Sequence, residues 1–202
     1  MTAPPEPRRP HARSLLRCLA LGLVLACHAP AVATSQAAAA PPGAERDGRR
    51  DFDFETGTWD THVRLLRNPL SGATPDWAEY RGTSIVRPLM DGRANVVELS
   101  VAGPAGRIEG LSLRLYNPQT HQWSLNYAGL RSGSLTAPVH GRFDGAGGAS
   151  FYGTDMVEGR AVFVRFVISE VTANSARFEQ AFSVDGGATW EVNWIAVDTR
   201  RR

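Results

Sequence analysis

The chain has 202 residues, 43% of them hydrophobic, enough for one ordinary domain with a real core and too few for two well-separated cores. All 22 basic residues are arginine, against 20 acidic ones, and the absence of lysine excludes Schiff-base chemistry. Arg8, Arg9, Arg13, Arg17 and Glu6 precede Thr34, so the chain from Thr34 onward carries 18 basic and 19 acidic residues. That balance argues against nucleic-acid or anionic-membrane binding.

Taken in chain order, residues 1–33 read as a secretion signal: four early arginines, an apolar run over 19–26, and the small-residue pattern Ala31-Val32-Ala33 before Thr34. The run is too short to remain as a membrane anchor. Export to the periplasm or the medium is therefore expected, with a lipoprotein attached through Cys27 as the rival reading. Both cysteines, Cys18 and Cys27, lie in this leader, so the rest of the chain has no disulfide and no thiol nucleophile. Residues 34–50 are Ala, Pro, Gly and charge without periodicity, which reads as a disordered tether, and the domain is expected over 51–202.

From there, short stretches rich in β-branched and aromatic residues alternate with Gly, Pro, Asn and Asp clusters. They predict strands over 58–67, 78–87, 94–101, 109–116, 122–128, Val139–Phe143, 149–156, 161–169, 176–183 and 189–199. About ten strands and no helical stripe predict an all-β antiparallel meander, closed into a barrel because closure removes the exposed edges. A β-sandwich is the alternative. Two hairpins suggest registers. Folding about Gln119 sets Leu115 against Trp123, Leu113 against Leu125 and Leu111 against Tyr127. Folding about Gly187 sets Phe182 against Val192, Gln180 against Trp194 and Phe178 against Ala196. Both place large apolar side chains on one face, the expected barrel interior.

Two short motifs stand at the ends of the domain. Ser183-Val184-Asp185-Gly186-Gly187-Ala188-Thr189-Trp190 fits the Asp-box pattern S-x-D-x-G-x-T-W. Sialidase propellers repeat that box once per blade; a single copy predicts a structured turn in which Asp185 accepts backbone N–H bonds. Gly57-Thr58-Trp59 resembles the G-x-W signature of lipocalin-type calycins, with Arg200 placed to stack on Trp59. Together with Asp51-Phe52-Asp53-Phe54, the run from Glu109 through Asn117-Pro118, and Phe178 through Ser183 with Asn193-Trp194, these segments resemble a bacterial family of domains of unknown function, described as calycin-like and often exported. The resemblance implies a calycin-like barrel and an extracytoplasmic location, and brings no activity or catalytic residues to carry over.

The candidate site follows from the expected interior. Trp123, Tyr127 and Trp194, with Phe178 and Phe182, would line the barrel, and Gln180 would be its polar handle, bonded to the Tyr127 hydroxyl or to water, or turned to a ligand. Arg165 and Glu179 fall opposite each other when the hairpin folds about Thr172. They read as a cross-strand ion pair on the outer face or, if that face turns inward, as a buried polar site with Arg114 and Asn193 for a carboxylate or sugar. His62, His121 and His140 have no metal-ligand spacing, and no metal or cofactor is implied. The reading that follows is a binding protein for a small apolar or amphipathic molecule. An enzyme acting on a carbohydrate-like or carboxylate substrate, and a structural or interaction domain with a filled barrel, are the alternatives. Oligomeric state is not legible.

Overall fold

A computed structural model of the chain describes residues 46–202. The expected signal (1–33) and most of the expected tether (34–50) lie outside the described residues. Ten strands follow in sequence: β1 (Gly57–Leu66), β2 (Trp77–Leu89), β3 (Ala94–Gly103), β4 (Gly106–Asn117), β5 (Gln122–Gly129), β6 (Val139–Phe143), β7 (Ala149–Val157), β8 (Arg160–Ser169), β9 (Ser175–Ser183) and β10 (Glu191–Arg200). Each pairs antiparallel with its neighbours in sequence, and β10 returns to β1 over Trp59↔Arg200 through Leu65↔Trp194, closing the barrel. Among the described residues no helix is long and apolar enough to cross a membrane.

The turns show why a meander forms. Between β7 and β8, Glu158 and Gly159 both take positive φ (49° and 78°), the type I′ geometry whose twist matches the flanking strands. Between β8 and β9, the Thr172 hydroxyl accepts from the N–H groups of Asn174 and Ser175 at 3.1 and 2.9 Å, replacing ladder bonds where the chain reverses. On β8, Val162, Val164 and Ile168 are buried at alternate positions, the period of a strand with one face on the core.

Three registers differ from expectation, with different consequences. In the β4–β5 hairpin, Asn117 pairs with Gln122, so four residues, Pro118 to His121, make the turn. Its geometry is held by the Asn117 side-chain oxygen, which accepts from the N–H groups of Gln119 and Thr120, and by the positive φ of His121 (53°). Pairing is then Tyr116↔Trp123, Arg114↔Leu125 and Leu113↔Asn126, one residue away from the expected register. A one-residue slip inverts a strand's faces. Leu111 and Leu115 are 38% and 41% exposed on the outside, and Ser112, Arg114 and Tyr116 share the inner face with Trp123, Leu125 and Tyr127.

In the β9–β10 hairpin, Gln180↔Trp194 and Phe178↔Ala196 pair as expected, but a bulge at Asn193 brings Phe182 opposite Glu191 rather than Val192. Between β8 and β9, Arg165 faces Ala181 rather than Glu179, a two-residue shift that leaves the faces unchanged.

One end of the barrel is filled by the segment preceding β1. The chain from Arg46 belongs to this folded unit, upstream of the expected start at Asp51. Gly48 is buried, donates its N–H to the Tyr116 hydroxyl at 3.1 Å and accepts from Trp123 Nε1 at 3.0 Å. A 3-10 turn, Asp53–Glu55, carries the chain into β1 and places Phe52 edge-on to Trp123 and Phe143, with ring centroids 4.9 and 5.0 Å away. Trp59, fully buried, donates Nε1 to the Glu55 carbonyl at 2.6 Å. The Arg200 guanidinium lies 4.1 Å from the Trp59 ring and donates to the carbonyls of Phe54, Thr56 and Ala173. The expected stacking of Trp59 on Arg200 thus joins the first and last strands.

Candidate functional site

Beyond this aromatic plug the barrel is hollow. A cavity of about 350 Å³ lies between the inner faces of the strands, with Leu125, Tyr127, Val139, Phe166, Phe178 and Trp194 in its wall. Its mouth follows from the shortness of β6, which pairs with β5 only from Trp123 to Leu125. Beyond Leu125 a loop takes the place of the strand, tied down where Thr136 N–H donates to the Tyr127 carbonyl at 2.7 Å and Tyr127 N–H to the Thr136 hydroxyl at 3.1 Å. The exposed residues Thr136, Ala137, Thr154 and Asp155 form the rim. The Tyr127 phenol packs against Gly110, where a Cβ would come within 2.1 Å of the phenol oxygen, and burial pushes its pKa up.

The floor is polar. Arg114, only 4% exposed, donates from both terminal nitrogens to Glu55, only 1% exposed, forming a two-pronged ion pair with one arm at 3.2 Å. Phe52 covers the guanidinium from below at 4.4 Å. Thr61 and Ser84 exchange a hydroxyl hydrogen bond of 2.7 Å, and Asp198, 3% exposed, lies across the β1–β10 ladder from Thr61. Burial pushes the Asp198 carboxyl up to about 7, and Glu55 adds to this, while the Thr61 hydroxyl and Arg114 oppose it. Asp198 Oδ1 and Arg114 Nε have no hydrogen-bond partner among the described residues. A cavity with an apolar wall and buried, incompletely matched polar groups at its base can orient one polar end of a molecule while enclosing the rest.

The structure distributes the residues nominated from the sequence over three places. Tyr127, Gln180 and Trp194 line the cavity, with Phe178 beside them. Gln180 Nε2 donates to Asn193 Oδ1 at 3.0 Å, so the amide is anchored at the β10 bulge rather than by Tyr127. Trp123 is in the plug, 1% exposed, and does not border the cavity. Arg165 and Glu179 are on the outer face, where Arg165 lies 4.7 Å from the Trp190 ring and Glu179 accepts from Arg177 at 2.8 Å. The expected Arg165–Glu179 pair does not form, and the four-residue polar site with Arg114 and Asn193 is not assembled: Arg114 is inside, Arg165 and Glu179 outside.

Trp190 belongs to the 183–190 turn. There Asp185 accepts from the Ser183 hydroxyl (2.7 Å), the Thr189 hydroxyl (2.6 Å) and the Thr189 N–H (2.9 Å), donors that hold its carboxyl down to about 2. Gly186 and Gly187 take positive φ. All of this serves the turn, and none of it borders the cavity.

Glu55, Thr61, Ser84 and Asp198 were not nominated from the sequence. Asp198 had a usable signal: the register that places Phe178 against Ala196 on the inner face puts the next inward position of β10 at Asp198. Glu55 had none, since it lies outside the strand pattern.

No protein-family model matches the chain, and no curated protein matches it in sequence. Among solved structures, the S-type phycobiliprotein lyase CPES from Guillardia theta aligns with a TM-score of 0.54 at 10% sequence identity, over 78% of this chain and 94% of that one. A structure of EF1p2_mFAP2b bound to DFHBI aligns with a TM-score of 0.43 at 9% identity, over 76% of this chain and 99% of that one. At 10% identity the likeness to the lyase is one of fold alone. With ten antiparallel strands closed on themselves, the chain is a calycin-like all-β barrel.

Proposed function

We propose that this chain is an exported binding protein that takes a small apolar or amphipathic molecule into its barrel. One observation carries the reading: an interior cavity of about 350 Å³, within the size range of small-molecule sites, walled by aromatic and aliphatic side chains above a buried polar floor. The hollow interior weighs against the filled-barrel alternative. The enzyme alternative rested on Arg165 and Glu179, which occupy the outer face in separate contacts. Export rests on the leader pattern over 1–33.

Native mass spectrometry of protein purified from its own host tests the binding reading, together with titration by Nile red, a neutral apolar dye. The expected result is a co-purified small molecule, or dye emission that rises and shifts to the blue and is reversed by an added amphiphile. An apo mass combined with unchanged dye emission sinks it. Intact mass also tests export, since a secreted form that still begins at Met1 contradicts cleavage near Thr34.

A further inference from the structure

The arginine on the cavity floor invites the assumption that the ligand is an acid. The surrounding groups oppose it. Arg114 already holds Glu55 through both terminal nitrogens, with only Nε unpartnered, so an incoming carboxylate would meet a guanidinium whose charge Glu55 already neutralises and would sit beside Asp198. Desolvated like charges that close repel strongly. Among the cavity-lining residues the ionisable acids are Glu55, Asp155 and Asp198, and the guanidinium of Arg114 is the one strong cation. Asp155, exposed at the rim, adds negative potential at the entrance.

The hydrogen-bond inventory points the same way. Gln180 uses its N–H side on Asn193 and Asn126 uses its own on the Thr136 carbonyl, which turns the amide oxygens to other use. Thr61 and Ser84 share one hydroxyl hydrogen bond, and the Thr61 hydroxyl also acts on Asp198. Asp198 Oδ1 is buried without a hydrogen-bond partner, although the Thr61 hydroxyl and Arg114 both favour the charged form of this carboxyl. Trp194 and Phe178 line the adjoining wall, and aromatic rings attract cations.

We propose that the cavity is selective for an amine: a small molecule with an apolar body and a single cationic nitrogen that sits on the floor as the counterion of Asp198. This inference rests on the proposed binding function and narrows it to one ligand class. The charged groups facing Asp198 are Glu55, from the turn before β1, and Arg114, from β4; its cross-strand partners Thr61 and Ala176 are neutral. Arg200, two residues further along β10, is committed to Trp59 and to three backbone carbonyls. An amine therefore meets an acid whose one nearby cation, Arg114, is already paired with Glu55. Because burial raises the Asp198 carboxyl to about 7, amine binding is expected to strengthen as pH rises from 5.5 to 8, while the amine itself stays protonated.

The test compares octylamine, octanol and octanoate as probes of the full chain by calorimetry at pH 8, with Trp emission as a second readout. Octylamine is expected to bind roughly ten-fold more tightly than octanol, the usual scale of a hydrogen bond to a charged group, and octanoate most weakly. In Asp198→Asn the amine preference is expected to fall to within about three-fold of octanol, with octanol binding retained as evidence that the variant is folded. In the unaltered protein, octylamine affinity should rise between pH 5.5 and 8 and octanol affinity should stay level. Octanoate binding best, an amine preference that survives Asp198→Asn, or a flat pH profile for octylamine overturns amine selectivity and leaves the binding cavity standing. If none of the three probes binds, the proposed binding function falls as well.

Discussion

At the end of the barrel where β1 begins and β10 finishes, Phe52, Trp123, Phe143 and Phe151 fill the interior with rings in edge and stacked contact, while Trp59 packs with Val86 and Val97 under the Arg200 guanidinium. In the other half, Tyr127, Phe166 and Trp194 stand around open space above Glu55, Arg114 and Asp198. Both regions are lined by aromatics, so residue type does not separate them. The inserted segment does: residues 46–55 supply Phe52 to one end only, and no part of the described chain fills the other. The plug stabilises the fold by burial, whereas the cavity floor carries desolvated polar groups that cost stability until something matches them.

That contrast can be broken by substitution. The largest effect is expected in the plug. Trp59→Ala removes a fully buried ring, the Glu55 carbonyl bond and the platform under Arg200, and should lower unfolding free energy by about 4 kcal/mol in urea titrations. A loss under about 1 kcal/mol would show that the ends are held together by other contacts.

At the cavity floor the sign reverses. The folded state keeps Asp198 protonated up to about 7, while the unfolded chain releases that proton near 3.8. Between those values the folded state binds more protons, so this group's contribution to stability declines as pH rises and levels off above about 7. The difference corresponds to about 4 kcal/mol. Asp198→Asn, whose amide introduces N–H groups that also need partners, should therefore be more stable than the unaltered protein by about 3 kcal/mol at pH 8 and indistinguishable from it at pH 4. Equal pH slopes for the two proteins in urea melts would remove Asp198 from the account.

The smallest effect is expected outside. Leu115→Gln should shift stability by no more than about 0.5 kcal/mol, because Leu115 faces solvent. A cost above about 2 kcal/mol would restore the register that puts this leucine in the core.

How much of this was legible from the residues varies by element. Alternation in β8 and the spacing of Gly, Pro and Asn turns were sufficient for ten strands in a meander, and the Trp59–Arg200 stacking was implied by the resemblance of Gly57-Thr58-Trp59 to the calycin signature. The inward row Phe178, Gln180, Trp194 and Ala196 was readable because only one register kept its apolar face together. The same reasoning failed on β4, where Leu111, Leu113 and Leu115 make the better-looking apolar face and yet point outward. The register with that face inward puts Arg114 on the outer face, whereas it is inside and forms part of the polar floor.

By itself the sequence determined the periods: strand-like alternation, turn positions and a single enclosed layer, each of which depends on residues within a few positions of one another. Only the tertiary structure decided which face of β4 is inside. That choice depends on the length of the 118–121 turn and on Glu55, 59 residues away in sequence, meeting the Arg114 guanidinium across the barrel. Burying a charge is acceptable only where a partner already waits, and the partner's position is a property of the closed barrel, which local pattern does not contain.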